Sequence, residues 1–79
     1  MVKKFTEKQG QYLSFIYHYI KLNGQSPAEA DMQKYFKVSP PTVHQMVVKL
    51  ESIELIKRKA GIARSIQVLV APENIPDLQ

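Results

Sequence analysis

Up to residue 53 the apolar positions of this chain follow a helical period, and beyond it they alternate. Leu13, Ile16, Tyr17 and Ile20 recur at helical spacing behind Thr6-Glu7-Lys8-Gln9. In that tetrad the Thr6 hydroxyl can accept from the N–H three residues on while Gln9 reaches back. Asn23-Gly24 ends the run, because glycine accepts the left-handed cap conformation. The pattern predicts a helix over about 7–22. Ser26-Pro27-Ala28-Glu29 is a second start, with Ser26 as cap, Pro27 in the first helical position and Glu29 closing a capping box. Ala28, Met32, Tyr35 and Phe36 then form one apolar stripe, and the helix runs over about 27–36. After a short break Ser39 caps a third helix that opens on Pro40 and runs over about 40–54. Its apolar stripe is Val43, Met46, Val47, Leu50 and Ile53, and Thr42, His44, Gln45, Val48, Lys49 and Ser52 lie opposite.

Leu55–Lys59 and Ser65–Val70 are short β-prone runs, the second with Ile66, Val68 and Val70 in alternation. Ala60-Gly61-Ile62-Ala63 lies between them and predicts a hairpin with a loop of about five residues. Pro72 and Pro76 break regular structure, so 71–79 reads as a tail or linker after a single domain at 1–70. Two helices joined by a short turn, the second capped and polar on one face, match a helix-turn-helix, and a hairpin directly after it makes a wing. The fold class is mainly α with a small β-hairpin: a three-helix winged helix-turn-helix.

Composition narrows the function. Seventy-nine residues make one domain, and no cysteine is present for a disulfide or a thiolate metal site. Residues 1–70 hold all eleven basic residues and five acids, a net of +6, while the last nine hold Glu73 and Asp77 and no base. A small basic domain points to an anionic partner, most often nucleic acid. Neither a membrane span nor a signal peptide is legible, so a cytoplasmic location is expected. His18 and His44 are far apart in sequence, and zinc needs three or four clustered ligands, so no metal site is expected. Nor does a nucleophile–base pair or a glycine-rich phosphate loop stand out, so no catalytic residue, cofactor or small-molecule ligand is assigned.

In this architecture the third helix reads the major groove. The candidates for base edges are Ser39, Pro41, Thr42, His44 and Gln45. Gln45 could pair with adenine, Thr42 could offer its methyl to thymine, and His44 could donate to guanine. The start of the helix also favours a nearby phosphate. Lys49, one turn on, and Lys57, Arg58, Lys59 and Arg64 of the wing (57–65) are candidates for the phosphate backbone, with no acid among the four wing bases. Tyr17 and Tyr19 on the first helix are candidates for self-association.

Several stretches resemble the N-terminal DNA-binding domain of the LexA (SOS) repressor family. They are Phe5-Thr6-x-x-Gln9 with Leu13-x-Phe15-Ile16 and Tyr19-Ile20, Asn23-Gly24-x-Ser26-Pro27, Ser39-Pro40-Pro41-Thr42-Val43-His44, and Gly61-Ile62-Ala63-Arg64-Ser65-Ile66. The resemblance covers about residues 4–70. It implies a transcription regulator, a repressor, that binds double-stranded operator DNA sequence-specifically. Dimerisation in the family relies on a further domain and stays open here, but a single reading helix binds weakly unless two copies, a homodimer, occupy paired half-sites. Family members continue into a self-cleaving serine/lysine protease domain, whose chemistry no residue here inherits. The base-reading positions differ enough that the family's operator is not implied. Two alternatives stand beside this reading: a winged-helix module that binds protein, and a fragment of a larger regulator. The charge on the wing separates the first from a DNA binder, since a protein-binding module does not need four uncompensated bases there.

Overall fold

The computed structural model describes residues 4–79. Three helices come first: α1 (Glu7–Asn23), α2 (Glu29–Phe36) and α3 (Pro40–Ser52). Two strands follow, β1 (Ile56–Lys57) and β2 (Gln67–Val68), and then a 3-10 turn at Pro72–Asn74. The winged helix-turn-helix is therefore the architecture, and its boundaries follow from identifiable local bonds.

The start of α1 is as read. Gln9 N–H donates to Thr6 Oγ1 (3.1 Å) and Thr6 N–H donates to Gln9 Oε1 (2.9 Å). Gly24, at φ 75, closes the helix with its N–H on the Ile20 carbonyl (2.8 Å). The start of α2 differs from the expectation. Ala28, not Ser26, is the cap residue, and Asp31 reaches back to accept the Ala28 N–H at 2.8 Å. Ser26 is drawn away because its hydroxyl is buried against the hairpin, where it accepts the Ile66 N–H at 3.2 Å and donates to the Pro27 carbonyl at 2.9 Å.

Three residues, Lys37 to Ser39, join α2 to α3, and Lys37 makes the turn at φ 56. Ser39 stands at the cap position, but its hydroxyl bonds to Thr42 Oγ1 (2.9 Å) rather than to the backbone. Pro40 and Pro41 carry no N–H, so α3 begins with two fewer amides to satisfy. The far end stops at Ser52, two residues short of the expectation. Glu54 turns left-handed at φ 63, Glu54 N–H reaches Glu51 O (3.0 Å), and Leu55 N–H reaches Leu50 O (3.0 Å). That is a Schellman closure with a non-glycine residue at its left-handed position, and both Leu50 and Leu55 are fully buried, supplying its apolar contact.

One cluster forms the core: Tyr12, Leu13, Phe15 and Ile16 of α1, Met32 of α2, Val43, Val47 and Leu50 of α3, then Leu55, Ile56 and Ile66. Tyr17 and Tyr35, placed on apolar stripes by spacing alone, lie outside it. Tyr35 instead packs its ring 4.7 Å from that of Phe15. Tyr12 is wholly buried and stacks on Phe36 at 4.1 Å with the rings 9° apart. The strands pair antiparallel in the register Ile56↔Val68 and Lys57↔Gln67. They are shorter than the β-prone runs suggest, and the loop is correspondingly longer. Ser65 replaces ladder bonds across it: its Oγ accepts from Lys59 N–H (3.0 Å) and donates within the turn to Ile62 O (2.8 Å).

Residues 71–79 lie back on the body. Gln11 holds them twice, donating from Nε2 to Asp77 O (2.9 Å) and accepting from Gln79 N–H (2.8 Å). The Tyr35 hydroxyl donates to Gln79 O (3.1 Å). Pro76 and the Phe5 ring close over Gly10, where a Cβ would stand 2.9 Å from Phe5 Cε1 and 3.0 Å from Pro76 Cγ.

This packing sets the sign of two stability effects. Gly10→Ala should lose about 1 kcal/mol in urea unfolding, although alanine in an open helix position gains about that much. Tyr12→Phe should have the opposite sign. Among the described residues the buried Tyr12 hydroxyl has no hydrogen-bond partner, and burial raises its pKa. Its removal should stabilise by about 1 kcal/mol, a rise in Tm of about 4–8 °C by circular dichroism. The raised pKa means that the folded state holds the phenol proton longer than the unfolded state. The Tyr12 contribution to stability is therefore constant below about pH 10 and is lost as pH rises above it, and Tyr12→Phe removes that share of any alkaline fall.

Candidate nucleic-acid interface

Burial of Val43, Val47 and Leu50 fixes which way α3 faces. Ser39, Pro41, Thr42, His44, Gln45 and Lys49 are all exposed, and so is Val48, at 42%. They form one continuous outward face over the first three turns. Thr42 lends its hydroxyl to Ser39 (2.9 Å) and keeps its methyl free. Gln45 has no side-chain hydrogen bond among those described, so its amide is available for bidentate pairing.

His44 is constrained by a residue that spacing did not single out. Its Nδ1 lies 3.3 Å from both carboxylate oxygens of Glu29, at the start of α2. A carboxylate only accepts, so Nδ1 carries the proton and Nε2 is the nitrogen left for a ligand. In the neutral ring Nε2 accepts, which suits an exocyclic amine of adenine or cytosine. Donation to guanine, the role expected from the sequence, requires the protonated ring. The fifteen-residue separation of Glu29 and His44 leaves no local signal for this pair.

The wing differs from the picture of four uncompensated bases. Arg58 Nε donates to Glu51 Oε1 at 3.2 Å, and its side chain is only 22% exposed. Arg64 Nη1 lies 3.1 Å from Asp31 Oδ2 and donates to the Tyr19 hydroxyl at 3.2 Å. The bond to Tyr19 is the main cause of the raised Arg64 pKa, with burial opposing it and the charge of Asp31 adding to it. The acids come from α2 and α3, where the fold and not the sequence neighbourhood brings them to the wing. Lys57 and Lys59 remain exposed with no carboxylate partner among the described residues, and Lys49 joins them from α3.

Tyr19 is half-buried, with its hydroxyl on Arg64 and its ring 5.8 Å from Phe15. Tyr17 is half-buried too but is not packed against the core; it lies edge-on to His18 at 5.2 Å with Lys21 Nζ 5.5 Å from its ring centre. The structure thus gives the two tyrosines different work. Beside them a depression of about 670 Å³ between α1 and the hairpin is lined by Tyr17, Lys21, Lys59, Ile62 and Arg64, with no carboxylate or histidine on its walls. No helix among the described residues is long and apolar enough to cross a membrane.

The comparisons with known proteins agree with this geometry. Residues 4–61 match the family model described as iron dependent repressor, N-terminal DNA binding domain. The LexA repressor of Thermosipho melanesiensis is 42% identical over 74 residues, covering 94% of this chain and 37% of that protein. The LexA repressor of Thermosipho africanus is 38% identical over the same shares, and that of Petrotoga mobilis is 33% identical over 86% of this chain and 33% of its own length. The chain spans about a third of the length of these relatives. Among the described residues no three His, Cys, Asp or Glu side chains gather to hold a metal ion. His18 is turned to its own helix, with Nδ1 2.8 Å from Ser14 O. On the match over 4–61, the chain belongs to the iron-dependent-repressor family of N-terminal DNA-binding domains, and it also resembles the N-terminal part of LexA repressors.

Proposed function

We propose that this domain binds double-stranded DNA sequence-specifically and represses transcription, with α3 in the major groove and the 57–65 wing along the phosphate backbone. The observation that carries the reading is the outward face of α3. The second helix of a helix-turn-helix is locked by its apolar side and presents short, exposed polar groups from its first turns. Ser39, Pro41, Thr42, His44 and Gln45 face the base edges, and Val48 adds an apolar group suited to a thymine methyl. Lys49, Lys57 and Lys59 supply the phosphate contacts. Two of the four wing bases are paired internally, so affinity rests on fewer charges than the sequence displays. The family match, not the charge count, is what favours DNA over a protein partner.

One reading helix gives a short footprint, so two copies occupy half-sites about one helical turn apart. Tyr17, which does not pack against the core, is the α1 aromatic left for such pairing. The relatives' greater length supports the view that the active repressor includes more chain than this domain.

Selection of bound duplexes from a randomised pool, followed by anisotropy titration, tests the reading. An enriched inverted repeat is expected, and recovery of the pool without enrichment would remove sequence specificity. On the selected duplex, Thr42→Ala and Gln45→Ala should each cost about 1–3 kcal/mol and change random-sequence binding little. Lys57→Ala should weaken selected and random duplexes alike and reduce the log–log salt slope by about 1. An unchanged slope would take Lys57 out of the phosphate set.

A further inference from the structure

Arg64 sits in the wing, and its side chain, 37% exposed, reaches across to the α1–α2 junction. One nitrogen, Nη1, reaches Asp31 Oδ2 of α2 at 3.1 Å and the Tyr19 hydroxyl of α1 at 3.2 Å, and lies 3.4 Å from the Ser26 carbonyl between those helices. Its backbone adopts φ 56, a conformation that a residue with a Cβ adopts at a cost. The surrounding contacts hold it there. Two residues on, Ile66 N–H donates to the buried Ser26 hydroxyl at 3.2 Å, so the wing is fastened twice to the same junction. Asp31 Oδ2 also accepts the Ala28 N–H at 2.8 Å, so a single oxygen holds both the start of α2 and the wing.

We infer that Arg64 is a positioning residue, a clasp that locks the wing to the α1–α2 junction, and not itself a phosphate ligand. The inference rests on the DNA reading above. A domain that meets DNA through a helix and a wing together needs the two at a fixed spacing. A wing ordered before binding loses less conformational entropy on the duplex. α2 leads through three residues into α3, so fastening the wing to Asp31 sets Lys57 and Lys59 relative to the reading helix. All three contacts fall on Nη1, so what a lysine lacks here is the longer reach and fixed plane that carry this nitrogen to the junction, not the charge.

The test turns on the sign of a charge effect. Asp31→Asn makes the domain more positive by one, and the new side-chain amide keeps an oxygen for the Ala28 N–H. Tyr19→Phe changes no charge. Were Arg64 a phosphate ligand, Asp31→Asn would free it and tighten binding. As a clasp, it requires both variants to weaken binding to the selected duplex, each about threefold or more. Arg64→Lys must then weaken it as much as Arg64→Ala does. Circular dichroism melts place every titration below the unfolding transition. In the free protein, amide hydrogen exchange at Lys59 and Ile66 should quicken in Asp31→Asn and Tyr19→Phe. Binding as tight as wild type in Asp31→Asn, or full recovery in Arg64→Lys, would overturn the positioning role. Unchanged exchange at both amides overturns the clasp itself. Should the wild-type domain bind no duplex, the DNA reading fails and the positioning role falls with it, while the exchange rates still judge the clasp separately.

Discussion

The rest of the structure depends on the seating of α3 by Val43, Val47 and Leu50. All three are fully buried in the cluster that also holds Leu13 and Ile16 of α1 and Met32 of α2. A helix turns about 100° per residue, so a shift of one residue in this seating would carry Thr42 and Gln45 away from the outward face and bring others round. The face offered to a ligand is thus decided by side chains that never touch it. The Schellman closure at Glu54 extends the same constraint. It buries Leu55 against Leu50 and sends the chain directly into β1, so the wing begins at a fixed distance from the reading helix.

The wing itself is not held by its own ladder. Two paired residues on each strand make a weak sheet, since an isolated hairpin is marginal in water. Side chains do the fastening: Ser65 across the loop, Ser26 on Ile66 N–H, and Arg64 on Asp31 and Tyr19. Apolar burial fixes α3, and polar bonds at the α1–α2 junction fix the wing. The two parts that would meet DNA are therefore positioned by different kinds of force. Exposed ion pairs contribute little to overall stability, so the junction matters chiefly for geometry.

Internal pairing also changes the electrostatics. Arg58 and Arg64 are charged, but each has a carboxylate at hydrogen-bonding distance, which lowers the field they project outward. Lys49, Lys57 and Lys59 carry the surface potential that a phosphate would meet. Glu29 acts similarly on α3: it orients His44 and brings a negative charge to the edge of the reading face. A carboxylate there would repel a phosphate, so this edge of α3 is less suited to the backbone than the side that carries Lys49.

The sequence by itself determined the three helices, their order and the apolar side of each, because these depend on neighbours within a few residues. Thr6 and Gln9 capped α1 as their spacing required, Gly24 ended it, and the stripe Val43, Val47 and Leu50 was buried as its period required. The hairpin was legible as alternation, with Ile66 buried and Gln67 exposed. Only the tertiary structure decided what the polar residues do. Ser26 read as a helix cap and serves as a wing contact forty residues away, while Arg64 read as a wing charge and is engaged by Asp31 and Tyr19. The difference is physical. Hydrophobic burial is nondirectional and needs only the right face, so periodicity suffices to reveal it. A hydrogen bond or ion pair needs a particular partner at about 3 Å, and no local pattern records which distant residue the fold will bring there.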